Sequence, residues 1–232
     1  MWSYFGSKGN LINYYPQPKH GRIIEPFAGT ARYALKYFEH DVLLVDKYDA
    51  IITIWKWLQI CSPNDILGLP RLKETDHISD FDLCPEARLL MGFLAGKSSQ
   101  TPRDKPAKRA TTYRPNNINF QLKRIAASLF KIRHWKIELG SYEDIPNQDA
   151  TWFIDPPYQV GGQTYKEHDI DYPSLAKWCM SRQGQLIVCE NTQADWLPFL
   201  PMKAQRGSVR WGTEVIWSNH ETPYHYQQTA FA

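Results

Sequence analysis

Residues 22–46, RIIEPFAGTARYALKYFEHDVLLVD, decide the fold class. Arg22–Phe27 reads as a short strand closed by Pro26 and Gly29. From Thr30 to His40 the apolar residues Ala31, Ala34, Leu35 and Phe38 fall on one face at helical spacing. Val42–Val45 is an apolar run too short for a helix, and it ends in Asp46, which predicts a second buried strand.

The same alternation continues outward. Ala50–Ile60 reads as a helix, Lys136–Leu139 as a strand stopped by Gly140, and Trp152–Ile154 as a strand stopped by Asp155. Tyr172–Ser181 has helical spacing, Gln185–Cys189 is a strand, and Glu214–Trp217 is one more. Strands alternating with helices predict an α/β fold, a mostly parallel sheet with helices on both faces. Ligands of such sheets bind outside the carboxyl ends of the strands, at the point where strand order reverses. Glu25, Asp46, Ser141 and Asp155 all fall at predicted strand ends and are expected to share one pocket.

A chain of 232 residues is long enough for one large domain or for one domain carrying an inserted smaller one. Nine Trp and thirteen Tyr suit a large core, and they also suit stacking on flat ligands such as bases. No apolar run reaches the ~18 residues needed to span a bilayer. The first ten residues, MWSYFGSKGN, lack the apolar core of a signal peptide. Cys61, Cys84, Cys179 and Cys189 are widely spaced, with no CxxC pair and no histidine cluster beside them, so they are expected to be reduced packing residues in a cytoplasmic protein. No metal-ligand spacing occurs, His168 and Asp169 included, and no metal is expected.

The net charge of +3 hides an asymmetry. Arg88–Lys136 holds twelve Lys or Arg and one acid, Asp104, a net of +11, which leaves −8 for the rest of the chain. So dense a positive segment repels itself unless a polyanion neutralises it, which points to nucleic acid as partner. Residues 97–117, polar and with three prolines, read as a loop or mobile arm. Residues 118–133 resume a helical period, with Leu122, Ile125, Ala126 and Leu129 inward and Lys123, Arg124, Lys131 and Arg133 mostly outward. The expected division is a main domain from 1–60 and 135–232, and a small, basic, mainly helical insertion at 61–134.

The turn EPFAGTA carries only Gly29, with Ala31 and Ala34 where a dinucleotide fingerprint has its other glycines. A pyrophosphate ligand is therefore disfavoured, while a nucleoside is not. Asp46 follows Glu25 at the spacing from which a strand-end acid accepts hydrogen bonds from ribose hydroxyls. Further on, FIDPPY (153–158) ends a strand in one carboxylate and two prolines. Two prolines remove two backbone donors and fix φ near about −65°. The corner offers acceptors only, the Asp155 carboxylate and the Pro156 carbonyl, and two fixed acceptors suit an amino group with two N–H donors. Tyr158 supplies a face on which a base can stack, and a base inside a duplex reaches such a corner only by flipping out.

Taken together, these motifs resemble the adenine-specific DNA methyltransferases of the DNA adenine methylase family, in which the glycine loop precedes the target-recognition region and DPPY follows. The resemblance runs through YFGSKGNL (4–11), EPFAGTA, VDKYDAII, LGSYEDI (139–145), FIDPPY and TEVIWSN (213–219). It implies a Rossmann-like methyltransferase sheet and the cofactor S-adenosylmethionine, a sulfonium without phosphates. It implies cofactor contacts for Tyr4, Lys8, Glu25, Phe27, Gly29, Asp46, Ser141, Tyr142 and Asp155, and a catalytic role for Asp155, Pro156 and Tyr158.

The same resemblance implies double-stranded DNA as substrate, its backbone held by Lys97, Arg103, Lys105, Lys108, Arg109, Arg114, Lys123 and Arg124. A monomer or weak dimer of bacterial, archaeal or viral origin is expected, in a setting such as restriction and modification. Two departures stand out. Ala31 replaces the loop's usual second glycine, where its methyl is expected to crowd the cofactor, and Ser141 replaces the Asp expected to bind the cofactor's adenine. Structured RNA as substrate, or a nucleic-acid-binding relative with weak catalysis, are the alternative readings.

Overall fold

The computed structural model describes residue 2 and residues 11–96, 99–112, 117–202 and 214–220. The chain begins with β1 (Arg22–Glu25), α1 (Arg32–Lys36), β2 (Asp41–Asp46) and α2 (Asp49–Ile60). Four helices follow: α3 (Pro63–Leu67), α4 (Pro85–Gly96), α5 (Lys108–Thr112) and α6 (Ile118–Ala126). The sheet then resumes with β3 (Lys136–Leu139), β4 (Ala150–Ile154), α7 (Tyr172–Met180), β5 (Gly184–Asn191), β6 (Leu200–Pro201) and β7 (Glu214–Ser218).

The seven strands form one sheet in the order β3-β2-β1-β4-β5-β7-β6. From β3 to β5 the pairings are parallel, whereas β7 runs antiparallel to both its neighbours. This is a mixed α/β architecture compatible with a Rossmann-like fold: the doubly wound order with a reversed strand inserted near one edge. Strand order reverses between β1 and β4, so the crevice for a ligand opens above Glu25 and Ile154.

Side-chain alternation sorts the parallel strands onto two cores. Ile23, Val42 and Leu44 face the core shared with α1, α2, α4 and α6. Ile24, Leu43 and Val45 face the core under α7, together with Trp152, Leu186 and Val188. The helices of residues 61–134 pack into the first core along with α2.

Several sequence expectations shift in detail. The helix expected over 30–40 is only Arg32–Lys36, because Ala31 sits in the left-handed region at φ 45 and Tyr37 leaves helical geometry at ψ 41. The helix expected over 118–133 breaks after Ala126, and residues 129–132 continue as a 3-10 turn. The described part of the 97–117 arm is pinned down. Arg103 N–H donates to Gly92 O, Ala107 N–H to Ala95 O, and Ile78 N–H to Asp104 O. Helix α4 was not legible as a periodic pattern, since Leu90–Ala95 are buried all round. The cysteines are free, three buried and Cys84 exposed. Among the described residues no helix is long and apolar enough to cross a membrane, and no cluster of His, Cys, Asp or Glu is arranged to hold a metal.

Candidate functional site at the carboxyl ends of the parallel strands

The loop after β1 is fixed from both sides. Gly29 lies at φ 42, a conformation that favours glycine. Its N–H donates to Asp46 Oδ2 at 2.9 Å, and its carbonyl accepts from the Trp55 indole at 2.9 Å. Asp46 also accepts the Tyr48 N–H through Oδ1 at 2.9 Å. Burial raises the Asp46 carboxyl to about 6, against the lowering effect of those two N–H donors, and nearby Glu167 raises it further. Each Asp46 oxygen thus has one backbone partner and retains acceptor capacity.

Asp46, Gly29, Phe27 and Asp155 line one cavity of about 320 Å³, joined by Lys47, Tyr48, Tyr142 and the strap Tyr165–Ile170. The strand ends after β1, β2 and β4 therefore meet in a single crevice. Phe27 and Tyr142 pack ring against ring at 5.5 Å on its wall, and burial pushes the Tyr142 hydroxyl up to about 12. The lining carries four carboxylates (Asp46, Asp155, Glu167 and Asp169) against two ammonium groups (Lys47 and Lys166).

Two strand-end residues play other parts. Glu25, 2% exposed, is absent from the cavity wall. Its Oε1 accepts the Ala34 N–H at 2.6 Å, and so it supplies from β1 the cap that Ala31 lacks for α1. Burial lifts the Glu25 carboxyl to about 8, opposed by the Ala34 N–H and reinforced by Asp155. Ser141 lies outside the cavity as well: its hydroxyl accepts from Glu143 N–H in a capping box with Asp144, and it faces a separate concavity beside β3. The Ala31 methyl, 2% exposed, packs in the core and does not line the cavity.

The DPPY corner is held by residues distant in sequence. Pro157 O accepts the Tyr172 hydroxyl at 2.8 Å. Gly161 turns at φ 89, and Gly162 lies so close to Pro157 that a Cβ there would meet its carbonyl carbon at 2.9 Å. Gln159 N–H donates to Glu190 Oε1 at 2.7 Å, and the Trp196 indole donates to the same oxygen at 3.1 Å. The Tyr158 hydroxyl donates to Glu214, 2.8 Å from each carboxylate oxygen. Tyr158 and Pro156 lie off the wall of the 320 Å³ cavity.

No family model and no curated protein matches the chain. A solved structure described as a conserved hypothetical protein of Streptococcus pyogenes aligns over 91% of this chain and 93% of its own, at a TM-score of 0.37 and 11% identity.

The expected nucleic-acid contacts divide. Arg103, Lys105, Lys108, Lys123 and Arg124 are exposed. Lys97, Arg114 and the Arg109 side chain lie outside the described residues, as do Tyr4 and Lys8 of the expected cofactor contacts. Other cations of the basic segment serve the fold. Arg88 donates to the carbonyls of Ile78 and Phe81, Arg133 to those of Gln59 and Cys61, and Lys136 pairs with Glu138 at 2.6 Å. The lone acid Asp104 is engaged by His77 and Ser79, which hold its carboxyl below the usual range. Gln100 of this segment donates to Thr164 at 2.5 Å, one residue before the strap.

Sequence reasoning overlooked Glu190 and Glu214. Glu190 follows the apolar run LIVC as Asp46 follows VLLV, so the rule applied to the other strand ends selects it. Glu214 carried no such signal, because it opens its strand.

Proposed function

We propose that this chain is an S-adenosylmethionine-dependent methyltransferase acting on the exocyclic N6 amine of an adenine flipped from duplex DNA. The observation that supports it best is the meeting of the Gly29 loop, Asp46, Asp155 and Pro157 in one acid-lined cavity at the strand-order switch. An excess of carboxylates repels phosphates and favours a ligand bearing positive charge. The cavity volume suits a nucleoside-sized ligand. Asp46, oriented by two backbone donors, has lone pairs left for ribose hydroxyls, and Phe27 and Tyr142 offer aromatic surface for a purine. These residues fit a phosphate-free sulfonium nucleoside, with no contribution from Ser141.

When bound, that cofactor supplies a methyl group on a positively charged sulfur. Asp155 and the Pro156 carbonyl accept the amine's two N–H bonds, draw the nitrogen toward tetrahedral geometry and localise its lone pair. Tyr158 stacks on the base, a contact worth about 1–3 kcal/mol. The chain's contribution is chiefly positioning. Arg103, Lys105, Lys108, Lys123 and Arg124 hold the phosphate backbone.

Sequencing DNA from expressing cells for modified adenines tests the reading and maps the site. Asp155→Ala is expected to abolish incorporation of labelled methyl into that site while DNA binding persists. Undiminished incorporation in the variant refutes the role of Asp155, and label found in ribosomal RNA fragments but not in DNA reassigns the substrate to RNA.

A further inference from the structure

Resting on the adenine-methyltransferase reading, we infer that Glu214 is a positioning residue that sets the ring of Tyr158 for stacking on the flipped base. β7 runs against the parallel strands, so its first residue lies opposite Asn191, the last residue of β5. Reversal therefore delivers a side chain from the start of a strand to the rim where the parallel strands end. Glu214 uses that place to accept two phenols. The Tyr158 hydroxyl is 2.8 Å from both carboxylate oxygens, and the Tyr15 hydroxyl is 2.7 Å from Oε1.

The second phenol makes the anchor rigid. Tyr15 is 3% exposed, and its ring meets Phe153 edge-on at 5.1 Å. Phe153 in turn stacks on Tyr33 at 4.4 Å and 7°. Phe153 lies in β4, two residues before Asp155. Asp155 and the anchor of Tyr158 are thus referred to the same strand. Burial raises the Tyr15 hydroxyl well above its ordinary range, with Cys189, Glu214, Tyr158 and Asp155 adding to it, so Tyr15 stays a neutral donor to Glu214.

A tyrosine ring is free to turn about two side-chain bonds. A hydroxyl tied to a carboxylate removes most of that freedom, and the stacking face is oriented before the base arrives. Glu214 is absent from the wall of the cavity read as the cofactor's, so its loss is expected to spare cofactor binding.

The test is a double-mutant cycle in the full chain, using a duplex that contains the adenine site mapped in expressing cells. Glu214→Ala and Tyr158→Phe are each expected to lower kcat about 10- to 100-fold, the range of a lost hydrogen bond to a charged group. The KM for the cofactor should stay within about twofold, and the double variant should lose no more than either single one. Glu214→Gln, whose amide carbonyl still accepts a phenol, should recover most of the rate. The inference is overturned if wild-type protein methylates the site and Tyr158→Phe does so at an equal kcat, or if the two losses multiply. Should Glu214→Ala fail to fold, Tyr158→Phe alone decides, because it removes only the hydroxyl. Wild-type protein that modifies no adenine at all refutes the underlying functional reading instead.

Discussion

Replacing Glu25 by Gln should change how stability depends on pH. Glu25 is 2% exposed, and burial raises its carboxyl from 4.5 to about 8, the Ala34 N–H opposing and Asp155 adding to the shift. Across that window the folded chain holds a proton that the unfolded chain has released. The native state binds more protons, so stability is greatest below the unfolded value and falls as pH rises, by up to about 1.4 kcal/mol per pH unit. Between pH 5 and pH 7 the loss due to Glu25 comes to roughly 2–3 kcal/mol, from integrating the two titration curves.

Gln does not titrate, and its carbonyl still accepts the Ala34 N–H. Urea unfolding of both proteins at pH 5, 6 and 7 should therefore show variant-minus-wild-type stability climbing by roughly 2–3 kcal/mol. A pH-independent offset from the new amide drops out of this comparison. Repeating it in an Asp155→Asn background separates the coupling to the neighbouring acid. A difference flat to within about 0.5 kcal/mol would refute the claim that β1 ends in a desolvated carboxyl.

Gly162→Ala places a Cβ 2.9 Å from the Pro157 carbonyl carbon, and neither backbone yields easily. Overpacking of about 1–3 kcal/mol is expected, read by calorimetry as a Tm lowered by roughly 2–10 °C, together with weaker cofactor binding as the strap shifts. The paired substitution Lys105→Ala and Lys108→Ala should weaken duplex binding and lower the slope of log K against log salt by about 2, measured by fluorescence anisotropy over a salt series. An unchanged slope would move the phosphate contacts elsewhere.

The glycine loop shows how far a motif carries. Gly29 in the turn after β1 and Asp46 at the end of β2 lie where the strand-turn-helix reading put them, since both depend on a short stretch of chain. Ala31 is different. The sequence marks it as standing in a glycine position, and its φ of 45 agrees with that position's preference for glycine, yet its methyl turns into the core rather than toward the cavity. Ser141 was expected beside the other strand ends. Residues 142–144 form only a short turn, and the serine is consumed in capping it.

Local pattern determined the alternation of strands and helices, the acids that close β1, β2 and β4, and the donor-poor corner after Ile154. Each of these follows from backbone sterics and side-chain period over a few neighbouring residues. Tertiary structure alone decided that Glu25 caps a helix while Asp46 and Asp155 face one cavity, and that Glu214 reaches across 56 residues of sequence to hold Tyr158. The physical reason is that a period-two apolar run reads the same in either direction. Nothing in residues 214–218 tells whether that strand runs with its neighbours or against them, and only its pairing with β5 brings the start of β7 to the functional rim.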